Sequence, residues 1–251
     1  MQMYRARRVL RTEPSGSSWP VRVETDAGVF YTKLRGAAQA PASLVAEVVV
    51  GGLADALGLP VPARVLIEIA PDISVDNLHE ELRRLVRASA GRNLGFQALP
   101  EVRRFQALDL ARVDPEEASR IVWLDGLVQN PDRTLKNPNL LWSHGTLWLI
   151  DHGASLGFQH AWPRLTEQSP RTSGWSAASH ALSSRATCLG LVDSAMAECL
   201  SRATLESTLE IVPDEWLLTE NDQNEEARRR RRATFVAFLW KRLKPPRPFA
   251  P

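Results

Sequence analysis

The sequence predicts an α+β chain of two lobes, a small strand-rich lobe over residues 1–99 and a larger helical lobe over residues 100–251. Three observations predict this. Short alternating segments bounded by turn residues fill the first third of the chain. One apolar run at helical spacing, Ala42 to Leu57, interrupts them. Beyond Asp114 helical spacing dominates and is broken by a single hairpin signal.

Residues 5–12 alternate as a strand, and Glu13-Pro14-Ser15-Gly16-Ser17-Ser18 reads as a turn-rich loop. Val21 to Thr25 and Val29 to Leu34 are strands joined by a turn at Asp26-Ala27-Gly28. The helix from Ala42 ends at Gly58, a natural C′ residue, and Pro60 and Pro62 forbid its continuation. Arg64 to Ile69 is a further strand, Asn77 to Ala90 a charged amphipathic helix, and Leu94 to Leu99 a short extended segment. Asp114-Pro115-Glu116-Glu117 starts a helix strongly: Asp114 caps, Pro115 suits the first helical position, and Glu117 sits where it can reach back. Ile121, Val122, Leu124, Leu127 and Val128 give that helix one buried face. Residues 138–150 read as a hairpin with its turn at His144-Gly145. Helices are expected at roughly 176–190, 192–209 and 222–243, and a loose tail from Lys244 onward.

Composition is that of an ordinary globular chain, with 44% hydrophobic and 24% charged residues in 251. No apolar run approaches a membrane span. The start, Met1 to Arg8, is charged with no apolar stretch behind it, so it is not a signal peptide, and a cytoplasmic location is the default. Cys188 and Cys199 are expected as two buried thiols, too far apart on one helix for a disulfide, and no Cys/His cluster has zinc-like spacing. A net charge of +2 gives no case for nucleic acid. The run Arg228 to Arg232 reads as a solvated helix face, because acidic residues precede it and apolar residues follow at helical spacing.

The informative stretch is Asn130-Pro131-Asp132-Arg133-Thr134-Leu135-Lys136-Asn137, followed by Leu149-Ile150-Asp151-His152-Gly153. A hairpin turning at 144–145 brings residue 151 back beside residues 137 and 138. Asn137 and Asp151 then meet at its open end, where an amide oxygen and a carboxylate suit one Mg²⁺, with Asp132 upstream to orient a substrate hydroxyl. Phosphoryl transfer needs this set together with a cation on the phosphates. Lys33, ending an apolar strand, is the candidate. Glu47 is a carboxylate in an otherwise apolar helix and needs a partner, for which Lys33 is the obvious choice. Ser15, Gly16, Ser17 and Ser18 are a weaker candidate for covering phosphates with N–H groups and hydroxyls.

Taken together these residues resemble the HipA-like kinases, and best the shorter bacterial proteins of that family. The matching stretches are Phe30-Tyr31-Thr32-Lys33-Leu34, Leu57 to Pro62, Asn130 to Leu141 and Leu147 to Gly153, within about residues 5–160. The resemblance implies a protein-kinase-like fold, ATP and Mg²⁺, and Ser or Thr of a protein as acceptor. It implies Asp132 as the catalytic carboxylate, Asn137 and Asp151 as metal ligands, Lys33 on the nucleotide, and an adenine-contacting hinge near Gln97 and Leu99. Well-known members are toxins of toxin–antitoxin pairs that phosphorylate aminoacyl-tRNA synthetases and autophosphorylate a loop serine, for which Ser15, Ser17 and Ser18 are positional candidates. The chain is shorter than those toxins, and His152 stands where protein kinases carry an aromatic. Acceptor, antitoxin partner and oligomeric state are not legible in the sequence.

Two other classes compete. A small-molecule kinase of the aminoglycoside or choline kinase type shares the Asp/Asn/Asp set, but only a thin acidic cluster (Glu215, Glu220, Asp222) is present for a cationic substrate. A non-catalytic module is the third reading, either a pseudokinase, against which retention of Lys33, Asp132, Asn137 and Asp151 argues, or a nucleic-acid binder using Arg228 to Arg232, which a steep salt dependence of DNA binding would favour.

Overall fold

Alternation of buried and exposed side chains builds the first part of the chain into a closed barrel, seen in a computed structural model that describes residues 1–10, 20–37, 41–172, 174–218 and 224–250. The chain divides into two compact units: Met1–Leu44 with Pro62–Pro100, and Val45–Val61 with Glu101–Pro251.

In unit 1, β1 (Met3–Leu10), β2 (Val21–Thr25) and β3 (Gly28–Lys33) run antiparallel in sequence. Gly28, at φ 118°, supplies the turn conformation between the last two. After α1 (Ala42–Ala56) come β4 (Arg64–Ile69), α2 (Glu80–Ala88) and β5 (Gly91–Gln97). The barrel order is β1-β2-β3-β5-β4, closed by a parallel β4–β1 pairing. Val9, Val21, Val23, Phe30, Ile67 and Ile69 fill it, and Leu82 and Val86 of α2 join the same core. Gly95 faces inward on β5, where a Cβ would lie 2.7 Å from Ile67 Cγ1 and 2.9 Å from Val65 Cγ2.

The run from Leu44 to Val50 in α1 is wholly buried. The helix ends in a Schellman motif: Leu59 N–H donates to Ala54 O (2.9 Å) and Gly58 N–H to Asp55 O (3.0 Å), with Gly58 at φ +65°. The division at residue 99/100 expected from sequence differs here, because residues 45–61 count with unit 2. Local contacts give the reason. Gly52 lies so close to Thr208 that a Cβ would sit 2.7 Å from its Cγ2, and Pro60 O accepts from Leu149 N–H at 2.9 Å.

Unit 2 contains β6 (Arg103–Arg104), α3 (Pro115–Val128), β7 (Leu140–Ser143), β8 (Thr146–Leu149), α4 (Leu189–Cys199), α5 (Arg202–Glu210) and α6 (Glu225–Leu243). The strands form a small sheet in the order β6-β7-β8. Asp114 caps α3 by accepting from the N–H groups of Glu116 (2.9 Å) and Glu117 (3.1 Å). The far end of α3 is capped by Arg242 of α6, whose buried guanidinium donates to Gly126 O (2.7 Å), Leu127 O (2.8 Å) and Pro170 O (3.0 Å). Burial pushes the Arg242 pKa down to about 10.

Three sequence expectations are corrected. Residues 176–190 hold only a one-turn 3-10 segment, Ala177–Ser179, and helix starts at Leu189, because His180 is bonded elsewhere. The thiols are not buried: Cys188 is half-buried at the start of α4 and Cys199 is exposed at its end. The tail is held. Phe249 packs edge-on to Trp123 at 5.4 Å, Arg247 pairs with Asp193, and Arg171 donates to Lys244 O (2.6 Å) and Pro246 O (2.9 Å). The arginine run lies on α6 and is engaged within its own unit. Arg232 pairs with Asp214 at 2.8 Å and donates to Leu209 O and Val212 O, and Arg229 approaches Glu225 at 3.9 Å.

Gly95→Ala overpacks the barrel and lowers stability by about 1–3 kcal/mol. Gly157→Ala, with nothing within 4 Å of the new Cβ, stays within about 0.5 kcal/mol of wild type. Urea titration of both variants checks this pair.

Candidate active site

The β7–β8 hairpin sets the site. Its register pairs Leu140 with Leu149 and Ser143 with Thr146, which leaves His144 (φ 47°) and Gly145 (φ 77°) as a two-residue loop of type I′ character. At the open end, Ile150 N–H donates to Asn139 O at 3.1 Å. The residues on either side of that bond, Asn139 (φ 49°) and Asp151 (φ 56°), are both left-handed. Asn and Asp tolerate that region better than other non-glycine residues. The chain thus turns away from the sheet on both sides at once, with a carboxamide on one and a carboxylate on the other.

The loop feeding this end begins where α3 stops. Gln129 takes the left-handed cap (φ 55°), and Asn130 N–H bonds back to Asp125 O at 2.9 Å. Pro131 prevents further helix. Asn130 Oδ1 then accepts from Asp132 N–H at 3.0 Å, an Asx turn that orients the Asp132 backbone. The Asp132 Oδ2 atom accepts from Asn137 Nδ2 (2.9 Å) and from Asn139 Nδ2 (3.0 Å). These two bonds leave Asp132 Oδ1 outside the pair of amides. They also turn the amide nitrogen of Asn137 toward Asp132 and leave its Oδ1 available as a hard oxygen donor. Asn139 had no assigned role in the sequence reading; its only sequence signal is the repeat Asn137-Pro138-Asn139.

Beneath the loop lies a buried polar node. Arg133 Nε donates to Asp125 Oδ2 at 2.6 Å, and neither side chain is exposed. Arg133 Nη1 donates to Asn139 O and to Ile150 O (3.3 Å), and Nη2 donates to His152 Nδ1 at 3.2 Å. Because guanidinium only donates, that His152 nitrogen is an acceptor. Asp125 also accepts from Asn130 Nδ2 (2.9 Å) and His180 Nε2 (2.8 Å), while His180 Nδ1 accepts from Leu182 N–H (3.0 Å). His180 is therefore held as the tautomer with its proton on Nε2. A bridge between Thr134 and His180, and Ala181 N–H on Arg133 O (2.9 Å), fasten this later segment to the loop. Burial alone would raise the Asp125 pKa, but the charge of Arg133 and the hydrogen bonds from His180 and Arg133 outweigh it. The carboxyl is held well below the usual range.

The remaining sequence candidates fall as follows. Glu47 is fully buried on α1, and its Oε1 accepts from Gly153 N–H at 3.0 Å, two residues beyond Asp151. Lys33 is half-buried at the end of β3 in unit 1, opposite Leu94. Gln97 ends β5 and is exposed, and Leu99 is half-buried just after it. Ser15, Gly16, Ser17 and Ser18 lie outside the described residues.

The HipA-like kinase family profile matches residues 7–239. The chain belongs to the HipA-like kinase family. Among solved structures, a Helicobacter pylori proinflammatory kinase, CtkA, matches with a TM-score of 0.51 at 10% identity, covering 96% of this chain and 97% of that one. At that identity the likeness shows the fold, a mixed α/β fold shared with a kinase. No curated protein matches the chain in sequence. No helix among the described residues is long and apolar enough to cross a membrane.

HipA-like kinases are phosphotransferases, and the donor set here fits a divalent ion in chemical type. Among the described residues no three His, Cys, Asp or Glu side chains gather to hold a metal by themselves. Asn137 through its amide oxygen and Asp151 through its carboxylate are the side chains that would hold such a cation, both being hard oxygen donors.

Removing the Asp125 carboxylate strands a buried guanidinium. Asp125→Ala is expected to lose about 3–5 kcal/mol in denaturant titration. Because the folded pKa is depressed, the Asp125 contribution is complete above the unfolded carboxylate range, about pH 4, and is lost as pH falls below it. The acid limb of the stability profile should therefore be shallower in Asp125→Asn than in wild type.

Proposed function

We propose that this HipA-like kinase is an ATP- and Mg²⁺-dependent protein kinase acting on Ser or Thr hydroxyls. The observation that carries the reading is the convergence of Asn137 and Asn139 on Asp132 at the hairpin end from which Asp151 departs.

In this reading Asp132 receives the acceptor hydroxyl at Oδ1, while the two amides hold Oδ2 and fix the carboxylate plane. The hydroxyl oxygen attacks the γ-phosphorus, the bond to the β–γ bridging oxygen breaks, ADP leaves, and the hydroxyl proton passes to Asp132. Asn137 and Asp151 are the ligands for Mg²⁺. The bound ion would neutralise charge on the transferring phosphoryl group. Lys33 serves the nucleotide phosphates. Glu47, through Gly153 N–H, sets the backbone that carries Asp151, and Gln97 and Leu99 are hinge candidates for the base. The acceptor class comes from the family resemblance, as do a toxin-like role, an aminoacyl-tRNA synthetase as substrate, and autophosphorylation within Ser15 to Ser18.

Incubation with labelled ATP, Mg²⁺ and candidate acceptor proteins tests the reading. Wild type should transfer phosphate, and Asp132→Ala and Asp151→Ala should each fall by at least about 100-fold, the lower end of a general-base contribution. Transfer by either variant at the wild-type rate would overturn the assignment.

A further inference from the structure

Asn130 is buried where α3 hands over to the loop of Asp132, and each of its polar groups is engaged. Its N–H donates to Asp125 O (2.9 Å), its Nδ2 donates to Asp125 Oδ1 (2.9 Å), and its Oδ1 accepts from Asp132 N–H (3.0 Å). These three bonds are local. The fourth comes from 45 residues further along the chain: Trp175 Nε1 donates to Asn130 O at 2.7 Å. Trp175 reaches that carbonyl by lying against Gly126 of α3. A Cβ on this glycine would fall 3.0 Å from Trp175 Cζ3 and 2.9 Å from Cβ of Phe249, which shares the seat. The indole also meets the His180 ring edge-on at 6.4 Å.

The indole bond falls where it has leverage on the loop. Pro131 carries no N–H, so Asn130 O is the one hydrogen-bonding group of the peptide that leads toward Asp132. Proline also holds its φ at about −65°. Once that peptide plane is fixed, a single soft torsion, ψ of Pro131, remains before the Asp132 nitrogen, whose N–H is itself held by Asn130 Oδ1. We propose that Trp175 is a positioning residue for Asp132: its indole N–H, bonded to Asn130 O, fixes the plane from which the Asp132 carboxylate is presented. The inference rests on the assignment of Asp132 as the carboxylate that receives the acceptor hydroxyl, and adds the group that sets its approach. In this role Trp175 touches neither nucleotide nor acceptor, so the bond acts on the rate of the bound complex and not on nucleotide affinity. Phe249 supplies an internal contrast. It occupies the same seat on Gly126 and packs on Trp123, but its side chain has no polar group with which to bond the loop.

Separating the N–H from the ring tests this. Trp175 is replaced by benzothienylalanine, which keeps nearly the same ring shape and lacks the N–H, and Phe249→Leu serves as the packing control. Phosphate transfer from labelled Mg²⁺–ATP is measured against ATP concentration for both and for wild type, below the melting range of each. The Trp175 replacement should lower kcat by about 10- to 100-fold, up to the loss that follows a displacement of about 1 Å at the reacting groups. Its KM for ATP should stay within about twofold of wild type, as expected when ground-state binding is untouched. Phe249→Leu should melt below wild type and yet keep its kcat. Unchanged kcat in the Trp175 replacement, an equal loss of kcat in Phe249→Leu, or a raised KM with kcat unchanged each overturns the proposal, while transfer by wild type leaves the kinase reading standing. A wild-type protein that transfers no phosphate sinks that reading and this inference together.

Discussion

The Arg133 guanidinium, buried under the loop that bears Asp132, is the constraint on which the rest of the site depends. It is ionically paired to Asp125 of α3, and its remaining N–H groups reach Asn139 O, Ile150 O and His152. One side chain therefore touches the helix that delivers the loop, both sides of the hairpin base and the residue after Asp151. Displacing any of these would leave a buried donor or acceptor without its partner, and the loss of a hydrogen bond to a buried charge is a large fraction of net protein stability. The loop and the hairpin are thus held in one relative arrangement. Asp132 and the two amides inherit their geometry from that arrangement.

A buried ion pair is a poor source of net stability, since the desolvation of both groups offsets their attraction. Its use here is geometric. A hydrophobic replacement would fill the same space but could not bond two backbone carbonyls and an imidazole in fixed directions. The later segment is tied to the same node through His180, which gives Asp125 a third donor beside Arg133 and Asn130 and bridges Thr134. Glu47 does a comparable job from α1, holding Gly153 N–H close behind Asp151. The metal-ligand candidate is thereby flanked by fixed points: His152 on Arg133 and Gly153 on Glu47.

Much of this was legible in sequence where the signal is local. His144-Gly145 marked the turn of the hairpin, Gly58 with Pro60 marked the end of α1, and the local order of Asp132, Asn137 and Asp151 along loop and hairpin was readable directly. What could not be read is non-local. Nothing around Asp125, Arg133 or His180 announces a node, because Asp125 and His180 meet across 55 residues and an arginine after a loop aspartate looks solvated. The charge pattern suggested Lys33 for Glu47, and the bond from Gly153 N–H to Glu47 is one that charge pattern does not reveal. The tail misled through its prolines: they do forbid helix, but Phe249 and Arg247 still anchor it on Trp123 and Asp193. The helical spacing of residues 176–190 yielded to the tertiary bond of His180.

The central claim is that the Asn137 amide oxygen and the Asp151 carboxylate serve one ion on a nucleotide. Crystals grown with a non-hydrolysable ATP analogue and Mn²⁺, with data collected at the manganese edge, test it most directly. The account predicts an anomalous peak at about 2.1–2.3 Å from both Asn137 Oδ1 and an Asp151 oxygen, near the distances of hard-cation sites. A nucleotide bound with its manganese held by other residues, or no peak at saturating nucleotide and metal, would contradict it.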